Sequence, residues 1–433
     1  MPSLSYLVPF LGLIFSLYTI LNVPVTKRLN VFGITGRPRT QITNIHGEGL
    51  EIVPDTYFAE DIHYHAPSDT LFGVSEPHPH SRNNWFPPID HFSHPDLIGQ
   101  GQIFTLNPTT NKKTRLNLRN FQNAPFVTHG IDIYSPPSEP ETLYIFAVNH
   151  LPNPDHYGTT LAPDQAKKTP KARSQIDIFK HTLGTTDATY IRSVHHPLIR
   201  TPNDLYIENE HSFLVTNDHH HREGLGRMYE DIGWTELTPW SDIIHISNLD
   251  LTSTLNPATG FDASVALDKI NNPNGLGHGK DAEEIMCARA APGALELMHF
   301  ASSSSSSASA SQGPKNLTIT SQIQLPNTID NPSYFHDPYA ATTGKDASGY
   351  VLGGLLKAAE FPDAEHNPTS VWLVDGTTRQ QKLLFQDDGR ALNTSSTGVI
   401  VAIDPKGNEG RKQAWLFVTG PFSDNLVRTK VDL

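Results

Sequence analysis

The chain reads as an all-β fold, and three features of its 433 residues say so. Beyond the first 28 residues no long stretch carries helical periodicity; short β-branched and aromatic runs recur instead, each closed by Gly, Pro, Asn or Asp. The 34 prolines favour many short strands over long helices. Carboxylate and amide side chains recur at strand ends: 143, 71 and 56 residues separate Glu60 from Asn203, Asn203 from Asn274 and Asn274 from Asp330. Those intervals suit a propeller whose blades span roughly 40 to 60 residues and offer such groups to a common axis.

In order, the predicted strands are GIDIY (130–134), TLYIFAV (142–148), QIDIFKH (175–181), SFLVT (212–216), DIIHIS (242–247), NLTITSQIQL (316–325), SVWLVD (370–375), KLLFQ (382–386), GVIVAID (398–404) and AWLFVTG (414–420). Residues 1–28 form a hydrophobic signal or anchor segment, and 29–433 a single propeller with surface insertions at about 156–174, 249–273 and 301–312. The last is a serine tract, expected as a mobile loop because serine buries too little apolar area to offset its ordering entropy.

The first segment is apolar and uncharged from Leu4 to about Val25, with Lys27 and Arg28 after the apolar run. It lacks a basic n-region and a small-x-small cleavage site, so it reads equally as a removed leader or an uncleaved membrane anchor. Sequons at Asn316 and Asn393 agree with secretory-pathway entry and an extracellular or membrane-anchored location. A net charge of -13 without a basic run excludes a broad nucleic-acid surface. One cysteine, Cys287, excludes an intrachain disulfide and a Cys-based zinc site, whereas 22 histidines, among them HYH (63–65), HPH (78–80) and HHH (219–221), pose zinc as a rival.

Gathered at an axis, Glu60, Asn203, Asn274, Asp330 and Asn331 supply oxygen ligands only, which suits calcium rather than zinc or copper. Two negative and three neutral ligands balance a divalent ion and leave positions open for a substrate carbonyl. Adjacent strand residues point to opposite sides, so the neighbours in Glu60-Asp61 and Asn203-Asp204 can address two different ions.

With EDIHYHAP, THGIDIY, LYIFAVNH, QIDIFKH, PNDLYI, FLVTNDHH, PNGL and IDNPS in this order, the chain resembles the paraoxonase/arylesterase family as a divergent member, from about Thr43 to Leu433. The resemblance implies a six-bladed β-propeller and a calcium-dependent hydrolase of lactones and aryl esters, with phosphotriesters as a side activity. It implies two calcium ions: a catalytic one held by Glu60, Asn203, Asn274, Asp330 and Asn331, and a structural one held by Asp61, the carbonyl of Ile131, and Asp204. It implies His129 as the base toward water and His150 as its proton relay. Asp218 is expected near His150, and His219 to His221 as a polar loop at the mouth. The family's vertebrate members tie the N-terminal segment to the last strand by a disulfide; here both positions lack cysteine, so closure must rest on strand pairing and packing.

Three alternatives stay open: a gluconolactonase-like propeller hydrolase with a similar axial metal, a zinc hydrolase built on the histidines, and a non-catalytic propeller that uses calcium only for closure and binds a partner. The expected partner is a small ester or lactone, with possible membrane association through residues 4–25.

Overall fold

The computed structural model describes residues 25–35, 42–122, 124–158, 162–166, 168–232, 238–252, 256–301 and 315–433. The apolar run through residue 24, nearly all of the serine tract and parts of the other two expected insertions lie outside the described residues. Among those described, six sheets each step outward from one innermost strand: Ile62–His65, Thr128–Tyr134, Pro202–Asn209, Pro273–His278, Pro332–Phe335 and Gly398–Ala402. Each innermost strand packs on the next and the sixth packs on the first, so the ring closes as a six-bladed β-propeller.

Middle strands lie between two neighbouring blades and are apolar on both faces. Ser212–Asn217 and Ser241–Ser247 are buried along their whole length, and Phe146, Ile176, Ile178, Leu205, Phe213 and Ile244 fill the space between the second and third blades. Outermost strands face water and lose that signal. Asp262–Ile270, inside the stretch expected as an insertion at 249–273, is the mostly exposed outer strand of the third blade. The stretch expected at 156–174 holds part of one short helical turn, Pro154–Tyr157, and all of another, Pro163–Ala166, and gives way to strand at Ala172. One longer helix, Gly224–Ile232, had no counterpart in the sequence reading.

Closure comes from the N-terminal strand Glu48–Val53, which pairs antiparallel with Leu426–Asp432 on the outer edge of the sixth blade. Arg428 holds this joint: it binds Glu51 at 2.7 and 2.9 Å, donates to the carbonyl of Pro108 at 2.7 Å in the first blade, and stacks 4.1 Å above Trp415.

At the axis, buried carboxylates join neighbouring innermost strands. Asp61 accepts the N–H of Ile131 at 3.0 Å, Asp132 that of Ile207 at 2.6 Å, and Asp204 that of Leu276 at 2.8 Å. Gly130 makes the approach of the second and third blades possible, since a Cβ there would stand 2.4 Å from Asp204 Oδ1. Charge-assisted bonds of this kind contribute about 1.5–3 kcal/mol each, so the ring is fastened from within as well as at its edge.

Candidate functional site

The starts of the innermost strands converge at one end of the axis around a cavity of about 440 Å³. Glu60, His129, Asn203, Asn274 and Asp330 line it, one from each of five successive blades. Asn331 stands beside them and donates to Glu60 Oε1 at 2.9 Å.

Buried polar atoms normally have partners. Here one side-chain oxygen of each of Glu60, Asn203, Asn274, Asp330 and Asn331 is buried without one. These are the five residues expected to hold a catalytic ion, and unpaired oxygens from two carboxylates and three amides fit a hard divalent cation. The electrostatics agree. Burial, then the charges of Asp330 and Asp61, hold the Glu60 carboxyl well above the usual carboxylate range. Burial, then Asp61 and Asp218, push Asp330 up to about 7.

The set expected for a second ion meets different surroundings. Both oxygens of Asp61 and both of Asp204 already accept backbone N–H groups, and Asp61 is further bonded to Thr397 Oγ1 at 2.9 Å and His63 Nε2 at 3.0 Å. Ile131 gives its N–H to Asp61, and its backbone also hydrogen-bonds His63, the ring bonded to Asp61. These carboxylate oxygens therefore already have partners within the protein, unlike the bare oxygens at the axial cavity.

His129 and His150 meet as expected, His150 Nε2 lying 3.0 Å from His129 Nδ1. His150 Nδ1 lies 2.8 Å from Ser174 Oγ, and His129 Nε2 faces Glu60 Oε1 at 4.0 Å. If His150 Nδ1–H donates to Ser174, His150 Nε2 must accept from His129 Nδ1–H, and the lone pair of that ring is then on Nε2, the nitrogen 4.0 Å from Glu60. Burial, then His150 and Arg82, hold His129 well below its ordinary value, and burial brings His150 down to about 3. Both rings are therefore neutral at neutral pH.

The loop between the first blade's second and third strands supplies residues the sequence reading missed. Phe86 packs edge-on against His129 and His150, with centroids 5.1 and 5.8 Å away. Trp85 Nε1 donates to the His150 carbonyl at 2.8 Å, and the fully buried Arg82 donates to the Thr128 carbonyl at 2.8 Å. The cue was the WFPP cluster at 85–88, aromatic residues and prolines inside an otherwise polar loop.

Asp218 lines the cavity, and its charge acts on both histidines, but its direct partner is His219 at 3.1 Å rather than His150. His219 is buried rather than a free loop residue, and its other ring nitrogen lies 3.1 Å from Asp231 of the helix Gly224–Ile232. Burial opposes the charging of His219, yet the carboxylates outweigh it and its pKa is raised. Glu230 on the same helix accepts the N–H groups of His220 and His221. The triple histidine is thus where the helix is fastened over the cavity.

The histidines raised for zinc go to separate partners: His63 lies between Asp61 and Asp132, and His65 between the hydroxyls of Ser68 and Ser135. Among the described residues no three His, Cys, Asp or Glu side chains are grouped so as to hold a metal ion. Of the two sequons, Asn316 is exposed, while the Asn393 amide lies between Asn367 and the carbonyl of Phe422.

Fold and site together define a closed six-bladed propeller with an oxygen-lined axial site beside a neutral histidine pair. No family model matches the chain. The chain is similar at 22–25% identity to serum paraoxonase/arylesterase and paraoxonase/lactonase proteins. It is 24% identical over 322 residues to serum paraoxonase/arylesterase 2 of Gallus gallus, covering 73% of this chain and 75% of the relative. It is 25% identical over 154 residues to serum paraoxonase/lactonase 3 of Homo sapiens, covering 35% and 37%. Among solved structures, regucalcin from Agrobacterium tumefaciens, titled a calcium-binding protein, aligns over 90% of this chain and 97% of its own with 9% identity and a TM-score of 0.41.

Proposed function

We propose that the protein hydrolyses lactones and aryl esters at the axial site, with one calcium ion held by Glu60, Asn203, Asn274, Asp330 and Asn331. The observation that carries the reading is that four buried, unpartnered oxygens, from Glu60, Asn203, Asn274 and Asp330, belong to residues lining one cavity, with that of Asn331 beside them and His129 of the neutral histidine pair on the same wall. The names of the relatives, paraoxonase, arylesterase and lactonase, support it. When bound, the ion polarises the carbonyl oxygen as a Lewis acid.

The chain's own residues do the rest. Phe86, Phe361 and Phe422 give the cavity apolar walls for an acyl or aryl group and keep bulk water from the histidines. His129 Nε2 takes a proton from the attacking water, and its Nδ1 proton shifts to His150 Nε2, whose ring Ser174 holds in place. Depressed pKa values keep both histidines unprotonated and available at neutral pH. Glu60 and Asp218 lie close enough to offset the positive charge that develops on the pair. Phosphotriester turnover would be a side activity of the same electrophilic site.

We place the protein in the secretory pathway, extracellular or membrane-anchored, on its apolar N-terminal run and the word serum in its relatives' names. Among the described residues no helix is long and apolar enough to cross a membrane, and the run itself lies outside them. The decisive experiment is a panel of lactones and phenyl esters assayed with and without a calcium chelator. Turnover that chelation abolishes and calcium restores is expected; a panel without calcium-dependent turnover sinks the reading.

A further inference from the structure

We propose that Ser395 is the sixth blade's contribution to the axial site: a hydroxyl that donates a hydrogen bond to the substrate's carbonyl oxygen and to the oxyanion that oxygen becomes. The inference rests on the ester-hydrolase reading above. Five blades bring Glu60, His129, Asn203, Asn274 and Asp330 to the cavity wall, and the sixth brings Ser395.

The hydroxyls of the run Thr394–Thr397 are committed elsewhere, with one exception. Thr394 Oγ1 accepts the N–H of Phe422 at 3.0 Å. Ser396 donates to the carbonyl of Glu60, and the single Thr397 hydroxyl proton is shared between that carbonyl at 3.0 Å and Asp61 Oδ1 at 2.9 Å. Ser395 Oγ has no partner, although the residue is 1% exposed. A buried hydroxyl left unpaired is destabilising, and one kept at the wall of a catalytic cavity is a donor held for what enters it.

The backbone carries a second sign. Thr394 has φ 77°, a left-handed conformation that a β-branched residue adopts only under strain. Such strain collects at functional sites, and this turn is what delivers Ser395. The side chain passes Gly353, where an added Cβ would come within 2.7 Å of Ser395 Oγ. The carbonyl of Gly353 accepts the N–H of Asp330 at 2.9 Å, so Ser395 and the backbone of Asp330 neighbour the same glycine at the cavity wall. Asn393-Thr394-Ser395, legible in sequence as a sequon, is thereby a wall of the site.

The test uses the full-length protein with calcium, phenyl acetate and δ-valerolactone. Ser395→Ala is expected to lower kcat about 100-fold, with a melting temperature at or above that of wild type and with calcium affinity and the shape of the pH profile unchanged. Ser395→Cys, a near-isosteric but weaker donor, is expected to fall between. Wild-type kcat in Ser395→Ala overturns this assignment while leaving the hydrolase reading intact. Calcium affinity that falls in step with kcat makes Ser395 a metal ligand and overturns it as well. Absence of calcium-dependent turnover by the wild type removes the hydrolase reading, and the role of Ser395 with it.

Discussion

Glu60 is the residue on which the axial site turns. One of its oxygens is bonded to Asn331 and the other is bare, while Asp330 and Asp61 face it inside the same buried volume. A charge so placed favours a bound cation and opposes the fold without one. Glu60→Gln is therefore expected to weaken calcium binding by at least about 100-fold, the scale of losing a charged ligand. It should at the same time raise the melting temperature in chelator above that of wild type. Calorimetric titration and a melting curve measure the two, and a variant that binds calcium normally refutes the assignment. Much of this scale was legible in the sequence, because carboxylates and amides in adjacent pairs at strand starts have few uses in a sheet. Ser395 was not, since a serine in NTSST differs from its neighbours only in which hydroxyl finds a partner. Arg82 and Phe86 were hidden for a related reason: a loop residue reaches an axis only through long-range packing.

At the scale of elements, doubly buried middle strands announce themselves as continuous apolar runs, whereas outer strands such as Asp262–Ile270 carry an exposed, mixed pattern that resembles a loop. The helix Gly224–Ile232 is short and begins with two glycines in three residues; its position comes from Glu230 and Asp231 gripping the histidine run, a tertiary effect that propensity does not register. The closing joint depends on Arg428, whose guanidinium spans the N-terminal strand, the last strand and the first blade. Arg428→Ala leaves buried carbonyls unpaired and removes the stack on Trp415. Because the ion pair with Glu51 is partly exposed, most of the expected loss of about 2–3 kcal/mol comes from the carbonyl bonds and the stack. Denaturant unfolding measures it, and an unchanged midpoint would show that strand pairing alone closes the ring.

For the whole molecule, the axial carboxylates link calcium, protons and stability. The folded pKa of Asp330, about 7, lies above its unfolded value near 4, so the calcium-free fold gains from protonation below that range and loses the gain as pH rises through 7. Calcium requires the deprotonated form and competes with those protons. Calcium affinity is thus expected to fall as pH drops from 8 to 5, and chelation to lower the melting temperature more at pH 8 than at pH 5. Equal shifts at both pH values would place the ion elsewhere. The fold class and ring closure were open to sequence reasoning because blade spacing and strand density are global properties; the fastening of the ring by Asp61, Asp132 and Asp204 was not, since it exists only once the blades stand side by side.

The joint at Arg428 has one more consequence. The chain's single cysteine, Cys287, is buried and its thiol is pushed well above its ordinary pKa by burial. Ring closure here is made of hydrogen bonds, an ion pair and an aromatic face, none of which is oxidised or reduced. The integrity of the propeller is therefore independent of the thiol balance of the compartment in which it folds, and no disulfide partner has to be found before the first strand can meet the last.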